Sequence, residues 1–513
     1  MTEIISGTDS TRSPHARAHH AIRRMHRALL IAGTAAPLAP LPRPSSSLRA
    51  RRAFNKPLSR ASAVLGSDPS WPGLSEVEVN RARAETPAYC DDGDVAHFNS
   101  AGSSPPPKPV LDAQLEYLAV EANLGGYETA ELSKRELRRP YAELATMLGC
   151  ERDEIAITQS ATSAWQLAFS SLERTFARGD RVLVARAEYA SNYIAYLQAS
   201  ERTGVVVEVI PSDAYGQVDA DALDATLSDA SKGKCRLVSI VHVPTSSGLV
   251  NDAVAIGAVA KKHGVPYLLD ACQSVGQMPV NVNEIGCDFL CGTGRKYLRG
   301  PRGIGFLYAR GETVEAMNLV PAYMDLHGAT WEETETYEPA EGAKRFEQYE
   351  VSFAAKVGLG AAVAYANAIG VDAGWRRTRY LAETLRVGLR DVKRVVVHDQ
   401  GEVQCGIVTF TVGGVSPFDV RRRLARDGVK VWTSNVKNNT KLEHEREEGT
   451  PEVVVRASVH YFNTEEEIGR LIASAGGARL GKNPDIVTST LRFLYSLFLL
   501  LEASTSSTRK KKD

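Results

Sequence analysis

Several features that define a protein class are missing from this sequence of 513 residues. Its 61 Lys and Arg residues equal its 61 Asp and Glu residues, so there is no excess charge to attract nucleic acid or an anionic membrane. Its seven cysteines are scattered and never spaced as CxxC, which argues against a disulfide framework and against a zinc site. We therefore expect reduced thiols, no metal and no nucleic-acid partner.

The composition is otherwise that of a globular protein. Hydrophobic residues make up 43% of the chain and charged residues 24%, which excludes wholesale disorder and a polytopic membrane protein. At about 150 residues per domain the length allows two or three domains.

The N-terminal region differs from the rest of the chain because it is almost free of acids. Up to residue 66 the acids are Glu3 and Asp9, against eleven Arg and Lys residues, and an apolar run from Ala28 to Leu41 precedes a Ser/Arg-rich stretch. This composition is typical of a targeting peptide. We expect residues 1–80 to be a targeting or disordered extension. A targeting role implies location in a plastid or mitochondrion, and the alternative is the cytoplasm.

The C-terminal tail, residues 477–513, combines a short apolar run with a basic end. Leu491 to Leu501 is strongly apolar, and Arg509 to Lys512 follow a Ser/Thr linker. The run offers little more than half of the about 20 residues that a membrane span needs. A helix on a membrane surface, a helix docked on the body and a gene-model artefact remain open.

Strand and helix patterns alternate through the middle of the chain. Arg236 to Val243 and Val265 to Asp270 are typical of buried parallel strands, and Ala253 to His263 between them of an amphipathic helix. Further buried strands are expected at residues 154–158, 181–185, 205–210, 288–291 and 303–309. The order predicts an α/β fold with a largely parallel sheet.

The pattern changes after about residue 350. A long helix of small residues, Phe353 to Ile369, is followed by separated strands at Gly406 to Val412 and Val453 to Ser458. We expect a large domain over 81–350, whose first part packs with a smaller α+β domain over 351–476.

Three segments at predicted strand ends carry chemistry. In Thr158 to Ser163 a strand gives way to a helix through small hydroxyl residues, which suits a phosphate at the helix N-terminus, although an ordinary Ser/Thr cap has the same sequence. Asp270 follows a buried apolar strand and needs a cationic partner. Lys296 lies in a Gly-rich turn, where desolvation lowers the pKa of an amine, as Schiff-base chemistry requires. Together they match the needs of pyridoxal 5′-phosphate.

The chain resembles the class V aminotransferase-fold enzymes, which include cysteine desulfurases, selenocysteine lyases and isopenicillin N epimerases. The resemblance covers roughly residues 96–472 and implies a PLP-dependent transferase fold, similar to that of aspartate aminotransferase, and a homodimer. The segments that carry it are HFNSAGSS (97–104), QSATSAWQLAF (159–169), AEYASN (187–192), HVPTSSGLVND (242–252), LLDACQSVGQ (268–277), GTGRKYLRGPRGIGFLYAR (292–310) and VRASVHYFNTEEEI (455–468).

The resemblance also implies roles for individual residues. The expected cofactor-binding positions are Lys296, Asp270, Gln273, Tyr189, Ala161, Thr162, Thr245, Thr293 and Arg295. Lys296 resembles the catalytic lysine that bonds to the cofactor aldehyde, Asp270 the partner of the ring nitrogen, and Gln273 the partner of the phenolic oxygen.

Other roles concern the ring face, the phosphate and the substrate. Tyr189 resembles the residue that stacks on the ring, and Thr162, Thr293 and Arg295 resemble phosphate contacts, where many relatives have His in place of Arg295. Arg456 matches the arginine that receives the α-carboxylate of an amino-acid substrate. A core position for Tyr189 and a structural ion pair for Arg456 are the alternatives.

The reaction is less firmly indicated than the cofactor. Cysteine desulfurases need a nucleophilic cysteine on a loop before the carboxylate-binding arginine, but residues 430–455 contain no cysteine. The chain has a nearer likeness to hercynylcysteine sulfoxide lyases, through Gly125 to Glu128 and the motifs above. We expect C–S cleavage by β-elimination from a cysteine conjugate. A class V aminotransferase, an amino-acid epimerase and a degenerate scaffold without activity are the alternatives.

Overall fold

The computed structural model describes residues 73–90, 95–444 and 449–477. Of the extension expected over residues 1–80, residues 1–72 lie outside the described residues, as does the apolar run 491–501. The rest of that extension is ordered: Leu74 and Val79 are buried in a core with Tyr461 and Phe462.

The described chain alternates helices with strands. The helices are α1 (Glu76–Ala84), α2 (Lys108–Leu124), α3 (Gly126–Leu132), α4 (Lys134–Leu148), α5 (Ala161–Glu173), α6 (Ala190–Thr203), α7 (Ala220–Ser228), α8 (Ala253–Lys262), α9 (Val282–Ile285), α10 (Gly311–Ala316), α11 (Phe353–Ile369), α12 (Val371–Arg390), α13 (Pro417–Arg426), α14 (Val436–Asn439), α15 (Lys441–His444) and α16 (Glu465–Ala475). The strands are β1 (Ala96–His97), β2 (Ile155–Thr158), β3 (Arg181–Val184), β4 (Val206–Val209), β5 (Cys235–Val241), β6 (Tyr267–Asp270), β7 (Phe289–Thr293), β8 (Gly305–Ala309), β9 (Ala329–Glu333), β10 (Thr336–Pro339), β11 (Val395–Val397), β12 (Ile407–Val412), β13 (Val429–Lys430), β14 (Trp432–Asn435) and β15 (Val453–Ser458).

A seven-stranded sheet in the order β2-β8-β7-β6-β5-β3-β4 forms the centre of the fold. The strands from β7 to β4 run parallel, whereas β8 is antiparallel to both β7 and β2. The predicted βαβ unit is confirmed as β5, α8 and β6, with bounds that differ by one or two residues. The α/β fold class is therefore confirmed.

Both faces of this sheet are buried, which explains the continuous apolar runs of its strands. Neighbouring residues point to opposite faces. Leu269 packs in a core with Ile256 of α8 and Leu359 of α11, whereas Leu268 packs in a second core with Trp165 and Tyr196. The helices on both faces hold the strand ends in fixed positions.

One predicted buried strand is wrong in its burial. Residues 205–210 contain β4, which lies at the edge of the sheet, and Val206 is 49% exposed. Because β4 is an edge strand, no strand covers its outer side. Its residues are therefore exposed or only partly buried.

A second, four-stranded antiparallel sheet in the order β11-β12-β15-β14 lies in the C-terminal region. It shares a core with α12, α13 and α16, and Phe98, the residue after β1, enters this core. β1 pairs in parallel with β13, Ala96 opposite Val429. Residues 96–98 are thus tied to the C-terminal region.

Helix α11 was expected to belong to the smaller domain, but its packing is with the large sheet. Ala355, Leu359 and Val363 share a core with Ile157 of β2 and Leu144 of α4. Small side chains allow this close approach, as at Gly360, where a Cβ would lie 3.0 Å from Pro140 Cδ. The boundary at residue 350 therefore does not separate two independent cores.

In the part of the chain that the structure describes, no single helix is long and apolar enough to cross a membrane. Helices α11 and α12 meet the criterion of length and composition only as a pair bent by 77°.

We predict that Gly257→Ala destabilises the fold by about 1–3 kcal/mol, the usual cost of overpacking. A Cβ at Gly257 in α8 would lie 1.7 Å from the backbone oxygen of Ile285, so α8 and α9 must separate. The urea midpoint of unfolding measures the effect. Gly311→Ala in α10 is the control, because its Cβ would meet no atom closer than 3.9 Å. Equal midpoints for the two variants would contradict this account of the packing.

Candidate active site

The predicted site residues gather at the carboxyl ends of the parallel strands. Asp270 is the last residue of β6 and Thr293 the last residue of β7, while Thr245 lies four residues beyond the end of β5. Ligands of open α/β sheets bind at this edge. The fold therefore brings these side chains to one place from three separate parts of the sequence.

The start of α5 lies at the same edge and has the form of an anion site. Ser160 caps the helix by accepting a hydrogen bond from Ser163 N at 3.0 Å, which leaves the amides of Ala161 and Thr162 at its open end. A Cβ at Gly305 of β8 would lie 2.6 Å from Ala161 N. The glycine thus lets β8 lie directly against the helix terminus.

Strand register connects this helix terminus to the other predicted phosphate contacts. Gly305 is opposite Thr293 on one side and Thr158 on the other. Thr162 is exposed, and Arg295 is partly buried. The Arg295 guanidinium donates to the carbonyl oxygen of Gly102, and burial, with the nearby charge of Arg302, lowers its pKa. These donors surround an open, positively polarised corner of the sheet edge.

Asp270 is buried at the end of β6 and holds a defined orientation. One carboxylate oxygen accepts from Cys272 N at 3.0 Å and the other from Asn192 Nδ2 at 3.1 Å. No cationic side chain of the described residues forms an ion pair with it. Since a buried carboxylate without a cation is costly, this arrangement suits a carboxylate that a ligand cation completes.

Lys296 lies in the turn between β7 and β8. Gly276 allows the turn that carries Asp270 to approach it, because a Cβ there would lie 2.8 Å from Leu298 N. Burial lowers the pKa of Lys296, and the nearby Cys272 and Asp270 oppose that shift. Its amine makes no hydrogen bond with any described residue. An accessible amine with a lowered pKa is the form that attacks an aldehyde.

Gln273, Thr245 and Arg456 form a connected group. Arg456 Nη1 donates to the carbonyl oxygen of Thr245 at 2.9 Å and to its hydroxyl at 3.1 Å, and Gln273 Nε2 is 3.4 Å from the same hydroxyl. Gln273 Oε1 and Arg456 Nε are buried with no partner in the described structure. Burial lowers the pKa of Arg456 to about 10. Polar atoms left without partners in this way mark a place for a ligand.

The alternatives were a core position for Tyr189 and a structural ion pair for Arg456, and the described residues show neither. Tyr189 is not in the core: it precedes α6 and is 36% exposed. Arg456 has no carboxylate within ion-pair distance among residues 73–90, 95–444 and 449–477. Both side chains remain available to ligands.

Sequence reasoning missed two supporting residues. Asn192, in the first turn of α6, orients Asp270 and was visible only as part of the AEYASN segment. Arg299 is fully buried at a backbone φ of 61° and donates to Pro105 O at 3.0 Å and to the Tyr461 hydroxyl at 2.8 Å. It fixes the turn that carries Lys296. Because its partners lie up to 213 residues away, spacing in the sequence does not reveal it.

Ligand atoms of Asp270, Cys272 and Cys291 lie within 4.8 Å of one another. Burial raises the pKa of Cys291 well above its usual value, and the thiol of Cys272 and the charge of Asp270 raise it further. A protonated thiol is a poor metal ligand, and Lys296 lies nearby. The expectation of no metal site stays a prediction.

The site fits pyridoxal phosphate. Lys296 is free to bond to the aldehyde, Asp270 lacks a cation, Gln273 Oε1 lacks a partner, and the start of α5 is open to a phosphate. Each of these unmet needs corresponds to one group of the cofactor.

Comparison with known proteins decides the family, since residues 96–471 match the family model for aminotransferase class-V. The chain belongs to this family. It is 30% identical over 380 residues to a probable cysteine desulfurase of Methanothermobacter thermautotrophicus, covering 73% of this chain and 92% of the relative. It is 29% identical over 410 residues to a cysteine desulfurase of Pectobacterium atrosepticum, covering 77% and 96%.

Solved structures show the same fold. The apo cysteine desulfurase of Thermococcus onnurineus matches with a TM-score of 0.71 at 24% identity, covering 78% of this chain and 97% of that chain. A C-DES mutant with glycine covalently linked to its PLP cofactor matches with a TM-score of 0.66 at 23% identity, covering 77% and 98%. This class V chain is therefore a pyridoxal-phosphate-dependent enzyme related to cysteine desulfurases. The nearer likeness to sulfoxide lyases and the homodimer stay predictions.

We predict that Lys296→Ala prevents borohydride from fixing the cofactor covalently to the protein, because Lys296 is the amine that the described site offers to the aldehyde. Mass spectrometry of the reduced protein measures the adduct. Lys356→Met is the matched control: Lys356 is also partly buried with a lowered pKa, but it donates to the Tyr141 hydroxyl at 2.6 Å. An adduct that persists in folded Lys296→Ala removes Lys296 from its role.

Proposed function

We propose that this enzyme cleaves the Cβ–S bond of an S-substituted cysteine by β-elimination, as a hercynylcysteine sulfoxide lyase does. The observation that carries the proposal is an amino-acid site, formed by Lys296 and Arg456, whose neighbouring chain segment 430–455 contains no cysteine. Such a site has the groups for breaking a C–S bond without the thiol that accepts sulfur in desulfurases.

Arg456 accounts for recognition of the amino acid. Thr245 engages Nη1 of its guanidinium, while Nε has no partner. A guanidinium held in this way binds a carboxylate with two parallel hydrogen bonds. Its buried position excludes water and strengthens the interaction with the α-carboxylate.

Lys296 and Asp270 account for the chemistry at Cα. Pyridoxal phosphate, when bound, supplies an electron sink for the pair released at Cα. Asp270 would hold the ring nitrogen of the bound cofactor with its negative charge. Lys296 Nζ, whose pKa burial lowers, is the base that would take the Cα proton. The Cβ–S bond then breaks and its electron pair leaves with sulfur.

The products follow from the bond that breaks. From a sulfoxide the sulfur leaves as a sulfenic acid, and from a thioether it leaves as a thiol. The remaining three-carbon fragment takes up water to give pyruvate and ammonia.

The placement of the cysteines supports elimination over sulfur transfer. Cys272, the thiol near Lys296, lies within 4.8 Å of the Asp270 carboxylate. The thiol that accepts sulfur in cysteine desulfurases instead belongs to the loop before the carboxylate-binding arginine, which Arg456 matches. In the described chain, part of the stretch before Arg456 forms β14 and α14. Ser434 of β14 lies with its Oγ 2.8 Å from Ser246 Oγ.

We predict that the holoenzyme releases pyruvate from S-alkylcysteines and their sulfoxides. Lactate dehydrogenase coupling measures pyruvate, and mass spectrometry of the protein detects any persulfide. Cysteine alone tests the desulfurase reaction. Alanine accompanied by an enzyme persulfide contradicts the proposal, and keto-acid exchange or racemisation without pyruvate moves the assignment to an aminotransferase or an epimerase.

We predict that Arg456→Ala lowers kcat/KM for the same substrate by an amount equivalent to about 2–5 kcal/mol, mostly through KM, because a buried carboxylate loses its partner. Arg456→Lys restores only part of this, since an ammonium cannot form the two parallel bonds. Arg421→Ala is the control, because Arg421 stacks on Trp432 in the smaller domain. A KM unchanged in Arg456→Ala would falsify this role.

A further inference from the structure

A second buried carboxylate lies next to Asp270. Asn192 Nδ2 donates both to Asp270 at 3.1 Å and to Glu188 Oε1 at 2.9 Å. Glu188 Oε1 also accepts from Tyr189 N at 2.9 Å, and the residue is only 3% exposed. Two acids therefore share one amide group in a buried place.

Among the described residues no cation forms an ion pair with either acid, and burial lowers the pKa of the nearby Lys296 amine. The ionisable groups that face Glu188 are Asp270 on β6 and Tyr196 on α6, with the thiol of Cys291 on β7 beyond them. Within residues 73–90, 95–444 and 449–477 no Lys, Arg or His forms an ion pair with Glu188. Two negative charges this close in a buried site repel strongly. One of the two acids must therefore carry a proton.

The surroundings select Glu188 as the protonated acid. Burial, which is the largest cause, and the charge of Asp270 together raise its pKa to about 8. Its second oxygen, Oε2, lies 3.5 Å from the Tyr196 hydroxyl, which is 2.7 Å from Ser239 Oγ. When Tyr196 donates its one proton over the shorter distance to Ser239, the proton for the longer contact comes from Glu188 Oε2.

We propose that Glu188 is a neutral carboxylic acid that positions Asn192, so that Asp270 remains the one negative charge facing the cofactor's ring nitrogen. Glu188, Asn192 and Tyr196 follow at intervals of four residues and so share one side of the chain at α6. Oε1 orients the Asn192 amide, and that amide fixes one oxygen of Asp270. Glu188 is a positioning residue, and its role does not depend on which substrate bond the enzyme breaks.

The protonation of Glu188 is testable in the apoprotein by infrared difference spectroscopy. A protonated carboxylic acid absorbs at a higher frequency than the amide bands. Glu188→Gln is expected to remove one such band at neutral pH. Glu347→Gln is the matched control, because Glu347 is also buried but accepts from Ile157 N and His327, and its pKa is lowered. A Glu188→Gln spectrum without that loss overturns the proposal.

Stability against pH gives a second measurement on the apoprotein. A carboxyl group whose pKa is raised on folding stabilises the fold below its unfolded value, and this stabilisation is lost as the pH rises from 4.5 towards about 8. The urea midpoint of Glu188→Gln should therefore increase relative to wild type across that range. Glu347→Gln should be the less stable protein throughout it, because an ionised group is lost. A difference between Glu188→Gln and wild type that is independent of pH contradicts the proposal.

The positioning role is tested by cofactor affinity in equilibrium dialysis. Glu188→Ala removes the acceptor for Asn192 and is expected to weaken pyridoxal phosphate binding by about 10- to 100-fold, as loss of the outer partners of metal ligands weakens metal binding. Glu188→Gln keeps an acceptor oxygen and should restore most of the affinity. Equal weakening in both variants, or none in Glu188→Ala, overturns the positioning role. If Glu188→Ala does not fold, Asn192→Ala takes its place with the same expectation.

Discussion

A buried negative charge at the end of β6 is the constraint on which the site depends. Asp270 lies among apolar strands with two neutral hydrogen-bond donors and no ion pair to a cation of the described chain. Such a carboxylate needs hydrogen-bond donors, and a positively charged ligand stabilises it further. The turn at Cys272 and helix α6 supply the donors, and in the proposed mechanism the ring nitrogen of the cofactor supplies the positive charge.

Charged groups of both signs act on the pKa of Lys296. Asp270 and Cys272 raise its pKa, whereas burial, Arg295 and Arg456 lower it. Burial is the largest effect, so the amine is ready to react, while the two guanidinium groups remain available for phosphate and carboxylate. In the proposed mechanism these residues have three separate tasks: Asp270 carries the charge at the ring, Lys296 transfers the proton at Cα, and Arg456 binds the substrate carboxylate.

The sequence was most informative where structure is local. The β5, α8 and β6 unit, Asp270 and Lys296 were readable because buried strands, capped helices and Gly-rich turns have patterns that span few residues. Contacts between residues far apart in the sequence could not be predicted from it. The pairing of Ala96 with Val429, the packing of α11 on the large sheet and the anchoring of Arg299 depend on the closed fold. Glu188 and Asn192 were missed for a different reason, since their spacing is that of any helix and their importance comes from Asp270, 78 residues beyond Asn192.

The most direct test of this account is the ¹⁵N chemical shift of the ring nitrogen in holoenzyme loaded with ¹⁵N-labelled pyridoxal phosphate. An ionised Asp270 facing that atom predicts the shift of a protonated ring nitrogen, constant through the neutral pH range, and its loss in Asp270→Asn. The shift of an unprotonated ring nitrogen in the wild-type enzyme would contradict the account, because Asp270 would then not be the partner of the cofactor.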